Sequence, residues 1–140
     1  MILEKKLIKI KTDGRGTYDI TASINELIRT GGIAEGICHL FLQHTSASLI
    51  LCENYDPQVR VDLEQFFASL VPDGDLRFGH TSEGKDDMPA HIRTILTQNS
   101  LEIPLQQQQL ALGRWQGVYL YEHRLKPHER QLIITSIGMP

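Results

Sequence analysis

Imidazoles and carboxylates end apolar rows at two places in the sequence. His44 ends the alternating inward row of a predicted strand over residues 35–44, and Glu122 ends the same kind of row over residues 116–124. A buried carboxylate costs free energy unless it is paired or bound to a cation. Both side chains are therefore candidates for an internal polar site.

A third group of such residues surrounds the start of a predicted helix near Met88. His80 and Glu83 lie in a glycine-rich loop, and Asp87 and His91 are four residues apart. Three imidazoles, supplemented by a carboxylate or water, suit Zn²⁺ or a similar divalent ion. Spacing alone does not show that the three histidines meet.

Each of these residues also has a purely structural interpretation. A histidine that ends an apolar strand is usually just hydrogen bonded, Asp87 can cap a helix, and Glu122 can pair with Arg124. Structural roles alone are expected for the other three histidines, which are His39, His123 and His128.

Two further segments are candidates for binding a ligand. The hydroxyls of Thr45, Ser46 and Ser48 can hold phosphate oxygens, or they can form the local bonds of a turn. Trp115 lies between glycines and is followed by Gln116. It is either a stacking surface for a flat ring, with Gln116 reading the ring's edge, or an aromatic plug in a β-bulge.

Several common enzyme motifs are absent. The sequence has no GxxxxGK[ST], GxGxxG, HExxH or GxSxG pattern. Kinases, nucleoside triphosphatases, dinucleotide enzymes and serine hydrolases are accordingly disfavoured.

Composition limits the protein class. With 140 residues the chain is expected to form one domain over 1–140. A net charge of −3 argues against a dedicated nucleic-acid binder. No apolar run reaches the ~18 residues of a membrane span, and no signal peptide is evident, so a cytoplasmic protein is expected. Two cysteines are too few for a disulfide scaffold.

Periodicity predicts an α+β fold. Helices are predicted over 22–30, capped by Thr21, over 56–70, capped by Asp56, and from Met88 onward. The second and third helices should each bury an apolar stripe. The stripe of the second helix is Val59, Leu63, Phe66, Phe67 and Leu70. The stripe of the third helix is Met88, Ile92, Ile95 and Leu96. Strands are predicted over 2–12, 35–43, 49–52, 101–105, 109–113, 116–124 and 131–137, in a largely antiparallel sheet. The strand over 35–43 has apolar residues on both faces and is predicted to be buried on both.

Four segments together resemble the YjbQ family, whose members are described as secondary thiamine-phosphate synthases or left uncharacterised. The resemblance runs from the first strand to Ile137. The matching segments are His44-Thr45-Ser46-Ala47-Ser48, Glu53-Asn54-x-Asp56-Pro57, His80-x-x-Glu83-Gly84-x-Asp86-Asp87-Met88-Pro89-Ala90-His91-Ile92 and Trp115-Gln116-Gly117-x-Tyr119-Leu120-x-Glu122.

The resemblance implies a YjbQ-like half-barrel with about three helices, assembled as a homotrimer. It implies a divalent metal ion, Zn or Mg, on His44, His80 and His91, with Asp87 and Glu122 close by. Catalytic roles would fall on Glu122, Asp87 and His91, and substrate contacts on Thr45, Ser46, Ser48, Trp115 and Gln116. Arg114 departs from the family pattern, which commonly has a threonine before the tryptophan.

The implied reaction is the synthesis of thiamine phosphate. A thiazole phosphate would attack a pyrimidine-methyl diphosphate and release diphosphate, so the expected partner is a small phosphorylated heterocycle, with neither nucleic acid nor membrane involved. A metal-dependent hydrolase and a non-catalytic trimeric protein that binds a metal or anion are the alternatives.

Overall fold

Eight strands and three helices make up the fold in the computed structural model, which describes residues Met1–Pro140. In chain order they are β1 (Ile2–Thr12), β2 (Gly16–Asp19), α1 (Thr21–Arg29), β3 (Glu35–Leu42), β4 (Ala47–Glu53), α2 (Pro57–Leu70), α3 (Asp87–Leu96), β5 (Ser100–Gln106), β6 (Gln109–Leu110), β7 (Gln116–Glu122) and β8 (His128–Met139).

The strands form two antiparallel sheets that curl into a half-barrel. The larger sheet has the order β1-β8-β3-β5-β6, and the smaller has the order β2-β7-β4. The backbone N–H of Leu49 in β4 donates to Gln98 just before β5, which links the two sheets. The predicted α+β class with an antiparallel sheet is confirmed.

The core lies between the concave side of the half-barrel and α1. Cys38, Leu40 and Leu42 alternate along β3 and are buried, as the period of two predicts. Ile24 and Ile28 of α1 pack into the same cluster. Residues of β7 and β4 belong to this core. The core therefore fixes the two strands from which the loops with the candidate polar residues extend.

The opposite side of the larger sheet is not covered. The prediction that β3 is buried on both faces is wrong, since Ile37 is 52% exposed and Phe41 38% exposed. The reason is that no element of this chain packs against the convex face.

The helices are where they were predicted, but one of the two predicted caps differs. Asp56 caps α2 as expected, accepting the backbone N–H of Gln58 at 2.9 Å. Thr21 is the first residue of α1 rather than its cap, and its hydroxyl accepts the backbone N–H of Val118 at 2.8 Å. No helix combines the length and apolar character needed to cross a bilayer.

The apolar stripes of α2 and α3 do not face the core. In α2 only Phe67 is buried, while Phe66 is 62% exposed. In α3 the buried residues include Asp87 and Arg93, while Ile95 is 80% exposed. Both stripes were predicted wrongly, because these helices lie on the outside of β7 and β4 and turn charged groups inward.

Candidate functional site

Two histidines and an aspartate meet where the loop over 71–86 runs into α3. Asp87 is the first residue of α3, His91 follows one turn later, and His80 comes from the loop. Asp87 Oδ2 lies 2.7 Å from His80 Nε2 and 3.3 Å from His91 Nε2. One ligand atom from each residue lies within 4.8 Å of the others, so this cluster has the dimensions of a metal site.

The orientation of His91 favours a cation at this point. Its Nδ1–H donates to the carbonyl oxygen of Thr45 at 2.8 Å, so the Nε2 of a neutral ring carries a lone pair. That lone pair faces Asp87 Oδ2, which is also an acceptor. Two facing acceptors need positive charge between them, and a backbone carbonyl on the far nitrogen is the usual arrangement for a metal-binding histidine. The donor set therefore fits a divalent ion.

Arg124 fixes the carboxylate of Asp87 from the other side. Its Nη1 lies 2.9 Å from Asp87 Oδ1, and its Nε donates to Asp86 Oδ2 at 2.9 Å. Burial raises the pKa of Asp87, but the hydrogen bond with His80 and the charge of Arg124 outweigh it, so the pKa lies below its ordinary value. Asp87 is therefore an anion at neutral pH. Arg124 was not predicted as a residue of the site.

His44 does not join this cluster. Its Nε2 accepts the backbone N–H of Gln131 at 2.7 Å, and its Nδ1 lies 3.4 Å from Arg130 Nη1. Burial, followed by the charge of Arg130, lowers the pKa of His44, so the ring is neutral. The cluster therefore contains two imidazoles and one carboxylate rather than the three imidazoles that were predicted.

Glu122 is a fully buried partner of Arg130. It accepts from Arg130 Nε at 2.8 Å, from the same guanidinium at Nη2, and from the hydroxyl of Thr12 at 2.7 Å. Burial raises the pKa of Glu122, but the hydrogen bonds from Arg130 and Thr12 lower it by more, so the pKa lies below its ordinary value. Glu122 thus holds Arg130 in place and has no free oxygen for proton transfer.

A cavity of about 600 Å³ opens beside the cluster and brings His44 and His91 onto the same wall. Six of its seven lining residues are polar. The lining residues are His44, Thr45, His91, Thr94, Ile95, Thr97 and Asn99. This cavity is large enough for a small heterocyclic ligand.

Of the three predicted hydroxyl contacts, only Thr45 lines the cavity. The hydroxyl of Ser46 accepts from Arg130 Nη2 at 3.0 Å. Ser48 is fully buried, and its hydroxyl lies 2.8 Å from His123 Nε2. Ser46 and Ser48 therefore stand behind the cavity rather than in it.

Trp115 and Gln116 lie at the far end of β7. Gln116 and Glu122 stand at opposite ends of β7, six residue steps apart, which is about 20 Å at ~3.4 Å per residue. Trp115 is half exposed and packs edge-on against Tyr55, with ring centroids 5.3 Å apart. The side-chain oxygen of Gln116 accepts the backbone N–H of Gly113 at 2.8 Å. Within one chain, Trp115 and Gln116 therefore do not reach the cavity.

The other histidines occupy three different environments. His39 lies on the convex face of β3, and the Nδ1 of His128 lies 2.7 Å from the carbonyl of Lys126. His123 is fully buried, and burial, together with the charge of Arg93, lowers its pKa to about 3. The alternation along β7 did not predict the burial of His123, because the smaller sheet is covered on both faces from Gly117 onward.

Comparison with known proteins gives one consistent result. The model of the UPF0047 protein YjbQ-like family matches residues 6–139. UPF0047 protein sll1880 of Synechocystis sp. is 46% identical over 134 residues, which cover 96% of this chain and 91% of the relative. UPF0047 protein YjbQ of Escherichia coli O157:H7 is 42% identical, covering 96% of this chain and 97% of the relative.

Solved structures share the fold. The conserved hypothetical protein TT1486 of Thermus thermophilus superposes with a TM-score of 0.85 at 29% identity, covering 94% of this chain and 99% of that one. The hypothetical protein APE1520 of Aeropyrum pernix gives a TM-score of 0.87 at 26% identity, covering 96% and 98%. The resemblance seen in the motifs thus extends over nearly the whole sequence and the whole fold, and the chain belongs to the YjbQ-like UPF0047 family.

Proposed function

We propose that this protein is a thiamine-phosphate-synthase-like transferase that acts on small phosphorylated heterocycles. In the reaction, the C–O bond of a pyrimidine-methyl diphosphate breaks and diphosphate leaves with the electron pair. The ring nitrogen of a thiazole phosphate then forms the new C–N bond to the methylene carbon. The observation that carries the proposal is the pair of imidazole nitrogens facing one oxygen of Asp87 beside a cavity of about 600 Å³.

The cluster is proposed to hold a divalent metal ion through His80, Asp87 and His91. Two nitrogen donors favour Zn²⁺ over Mg²⁺, which prefers oxygen ligands. When bound, the ion would supply positive charge for the oxygens of the leaving diphosphate.

The chain's own residues would prepare this site in three ways. The Thr45 carbonyl orients His91, and Arg124 keeps Asp87 anionic. Arg130 stands behind the cavity wall, where it contacts His44 and is paired with Glu122. The positive charge that would attract an anionic substrate is that of the ion held by His80, Asp87 and His91.

A metal-dependent hydrolase is the second candidate. Two histidines and one carboxylate are also the ligand set of well-known zinc hydrolases, in which the metal activates water. The same cluster supports both reactions, and they differ in whether a second organic substrate is consumed.

Asp87→Asn tests the metal site and the reaction together. The purified wild-type protein is expected to take up about one zinc per chain, and Asp87→Asn should weaken that uptake at least ~100-fold because an anionic ligand is lost. The control is His128→Asn, which changes a histidine outside the cluster. Full zinc uptake by Asp87→Asn, measured by elemental analysis, would contradict the assignment.

Turnover then separates the candidate functions. Thiamine phosphate should form only when both precursors are present, and chelation should stop it. Release of phosphate from either precursor alone would favour the hydrolase. Zinc uptake without any turnover would favour the non-catalytic alternative.

A homotrimer is proposed as the working assembly. Six large apolar side chains are exposed together on the convex face of the larger sheet, and Ile137 pairs directly with Leu3 on one side and Ile37 on the other. The six are Leu3, Leu7, Ile37, Phe41, Ile137 and Met139. Apolar patches of this kind mark association surfaces.

Light scattering tests this assembly. It should give three times the chain mass of 15.9 kDa, and Ile37→Lys should reduce it. In the trimer, a second copy is proposed to present Trp115 and Gln116 to the cavity; a monomeric protein would contradict both statements.

A further inference from the structure

Two threonines that line the cavity use their hydroxyl protons in hydrogen bonds within the protein. The hydroxyl of Thr94 donates to the carbonyl of Ala90 at 2.8 Å. The hydroxyl of Thr97 has three acceptors within reach, the hydroxyl of Ser48 at 2.6 Å and the carbonyls of Arg93 at 2.7 Å and Thr94 at 3.5 Å. Both threonines line the cavity, and each hydroxyl has a single proton to donate. What either oxygen can offer a ligand is therefore a lone pair.

A buried pair of side chains keeps Thr97 in this state. Ser48 and His123 are fully buried, and their side chains lie 2.8 Å apart. The other ring nitrogen of His123 has no hydrogen-bond partner in the protein, although leaving a buried polar atom unpaired costs free energy. The single polar contact of this imidazole leads through Ser48 to Thr97.

The direction of this chain of hydrogen bonds does not change what Thr97 presents. In one direction, Thr97 donates to Ser48 and Ser48 donates to His123. In the other, His123 donates to Ser48, Ser48 donates to Thr97, and Thr97 donates to the carbonyl of Arg93. Its proton stays within the protein in both cases, so the wall formed by Thr94 and Thr97 accepts hydrogen bonds and donates none.

We infer that Thr94 and Thr97 are specificity residues that recognise an N–H donor on a flat ligand, such as the amino group of an aminopyrimidine. The side-chain amide of Asn99 lines the same cavity and can donate to an adjacent ring nitrogen. Ser48 and His123 act as positioning residues through Thr97. The choice of a pyrimidine rests on the proposed function, whereas the requirement for a donor follows from the hydrogen bonds alone.

This arrangement also orients the ligand. Thr94 and Thr97 would repel phosphate oxygens, which are acceptors. The amine is therefore placed at the two threonines, and the phosphate-bearing arm of the ligand points away from them.

Binding of two matched probes tests the inference without any turnover. The probes are 4-amino-2-methylpyrimidine and 4-methoxy-2-methylpyrimidine, which differ in the N–H donor. Calorimetric titration of the zinc-loaded wild-type protein should show about tenfold tighter binding of the amino probe, the effect of roughly one hydrogen bond. Thr97→Val should reduce that preference to less than about threefold.

Three controls accompany the titration. Thr97→Ser keeps the hydroxyl and should keep the preference. Thr17→Val changes a threonine in a different cavity and should leave both affinities unchanged. Inorganic diphosphate should bind Thr97→Val as well as it binds the wild type, which also shows that the variant is folded.

The possible failures are distinguishable. Equal affinity of the wild type for both probes, no binding of the amino probe, or an unchanged preference in Thr97→Val would overturn the inference. If the preference for the amino probe is found but thiamine phosphate is not formed, the inferred role of Thr94 and Thr97 is retained and the proposed reaction is rejected.

Discussion

Helices α1 and α3 are of similar length, yet they turn different kinds of residue inward. α1 buries Ile24 and Ile28 against the concave side of the half-barrel. α3 buries Asp87 and Arg93 beside two small apolar residues and leaves Ile95 80% exposed. One helix follows the ordinary amphipathic rule, and the other also turns charged residues inward.

The difference shows what positions each helix. α1 is held by the burial of apolar surface. α3 is held largely by charge pairs: Arg93 to Glu64 at 2.7 Å and Asp87 to Arg124 at 2.9 Å. Buried charges cost desolvation energy, and apolar residues often pack as well in their place. A helix that keeps them is thus fixed in orientation rather than optimised for stability, as the supporting element of a site requires.

Truncating one isoleucine in each helix should give the largest contrast. Ile24→Ala removes a fully buried side chain and should lower the free energy of unfolding by about 3–4 kcal/mol. Ile95→Ala should change it by less than about 0.5 kcal/mol, since that side chain is exposed. Urea denaturation of both variants measures the difference; similar losses would mean that α3 packs against the core, or against another copy, through Ile95.

Removing the partner of Arg93 should have a smaller effect. Glu64→Gln keeps the shape of the side chain but leaves the fully buried guanidinium without an anion, and we expect a loss of about 2 kcal/mol. The control is Glu129→Gln, in the exposed pair with Lys9, with an expected change below about 0.5 kcal/mol. If the two substitutions give equal losses in urea, charge pairing does not hold α3.

The last contrast is a pH dependence that spreads over several pH units. Burial, with a contribution from Arg93 of α3, lowers the pKa of His123 from 6.5 to about 3. Between these values the unfolded chain binds a proton that the folded protein excludes, so stability falls as pH drops, by at most about 1.4 kcal/mol per pH unit.

Urea melts between about pH 4.5 and 6.5 measure this slope. His123→Asn should flatten the slope, and His128→Asn should leave it unchanged. An identical slope in wild type and His123→Asn would show that the folded protein admits the proton.

The sequence predicted the elements better than it predicted their faces. The Asp56-Pro57 pair marked the start of α2, because capping and the lack of a proline N–H are local effects. The stripe of α3 was misread, because apolar periodicity assumes an apolar interior and cannot foresee that Glu64 lies opposite Arg93.

The candidate site was predicted in part for a similar reason. The structure brings His80, Asp87 and His91 together, as the cluster of polar residues around the start of α3 had suggested. It separates His44 and Glu122 from them, because Arg130 and the backbone of Gln131 occupy their polar atoms. Strand alternation gave their inward direction but not their partners, which come from β8.

The place of β8 in the larger sheet has a consequence for the order of folding. β8 lies between β1 and β3, pairing with Thr12 to Ile2 on one side and with Leu42 to Glu35 on the other, although it follows both strands by most of the chain. Pairings this distant in sequence form slowly. During synthesis on the ribosome, β1 and β3 must remain with open edges until residues 128–139 have emerged, and unpaired edges of this kind invite aggregation. The nascent chain is thus at its most vulnerable just before the strand that joins β1 to β3 appears.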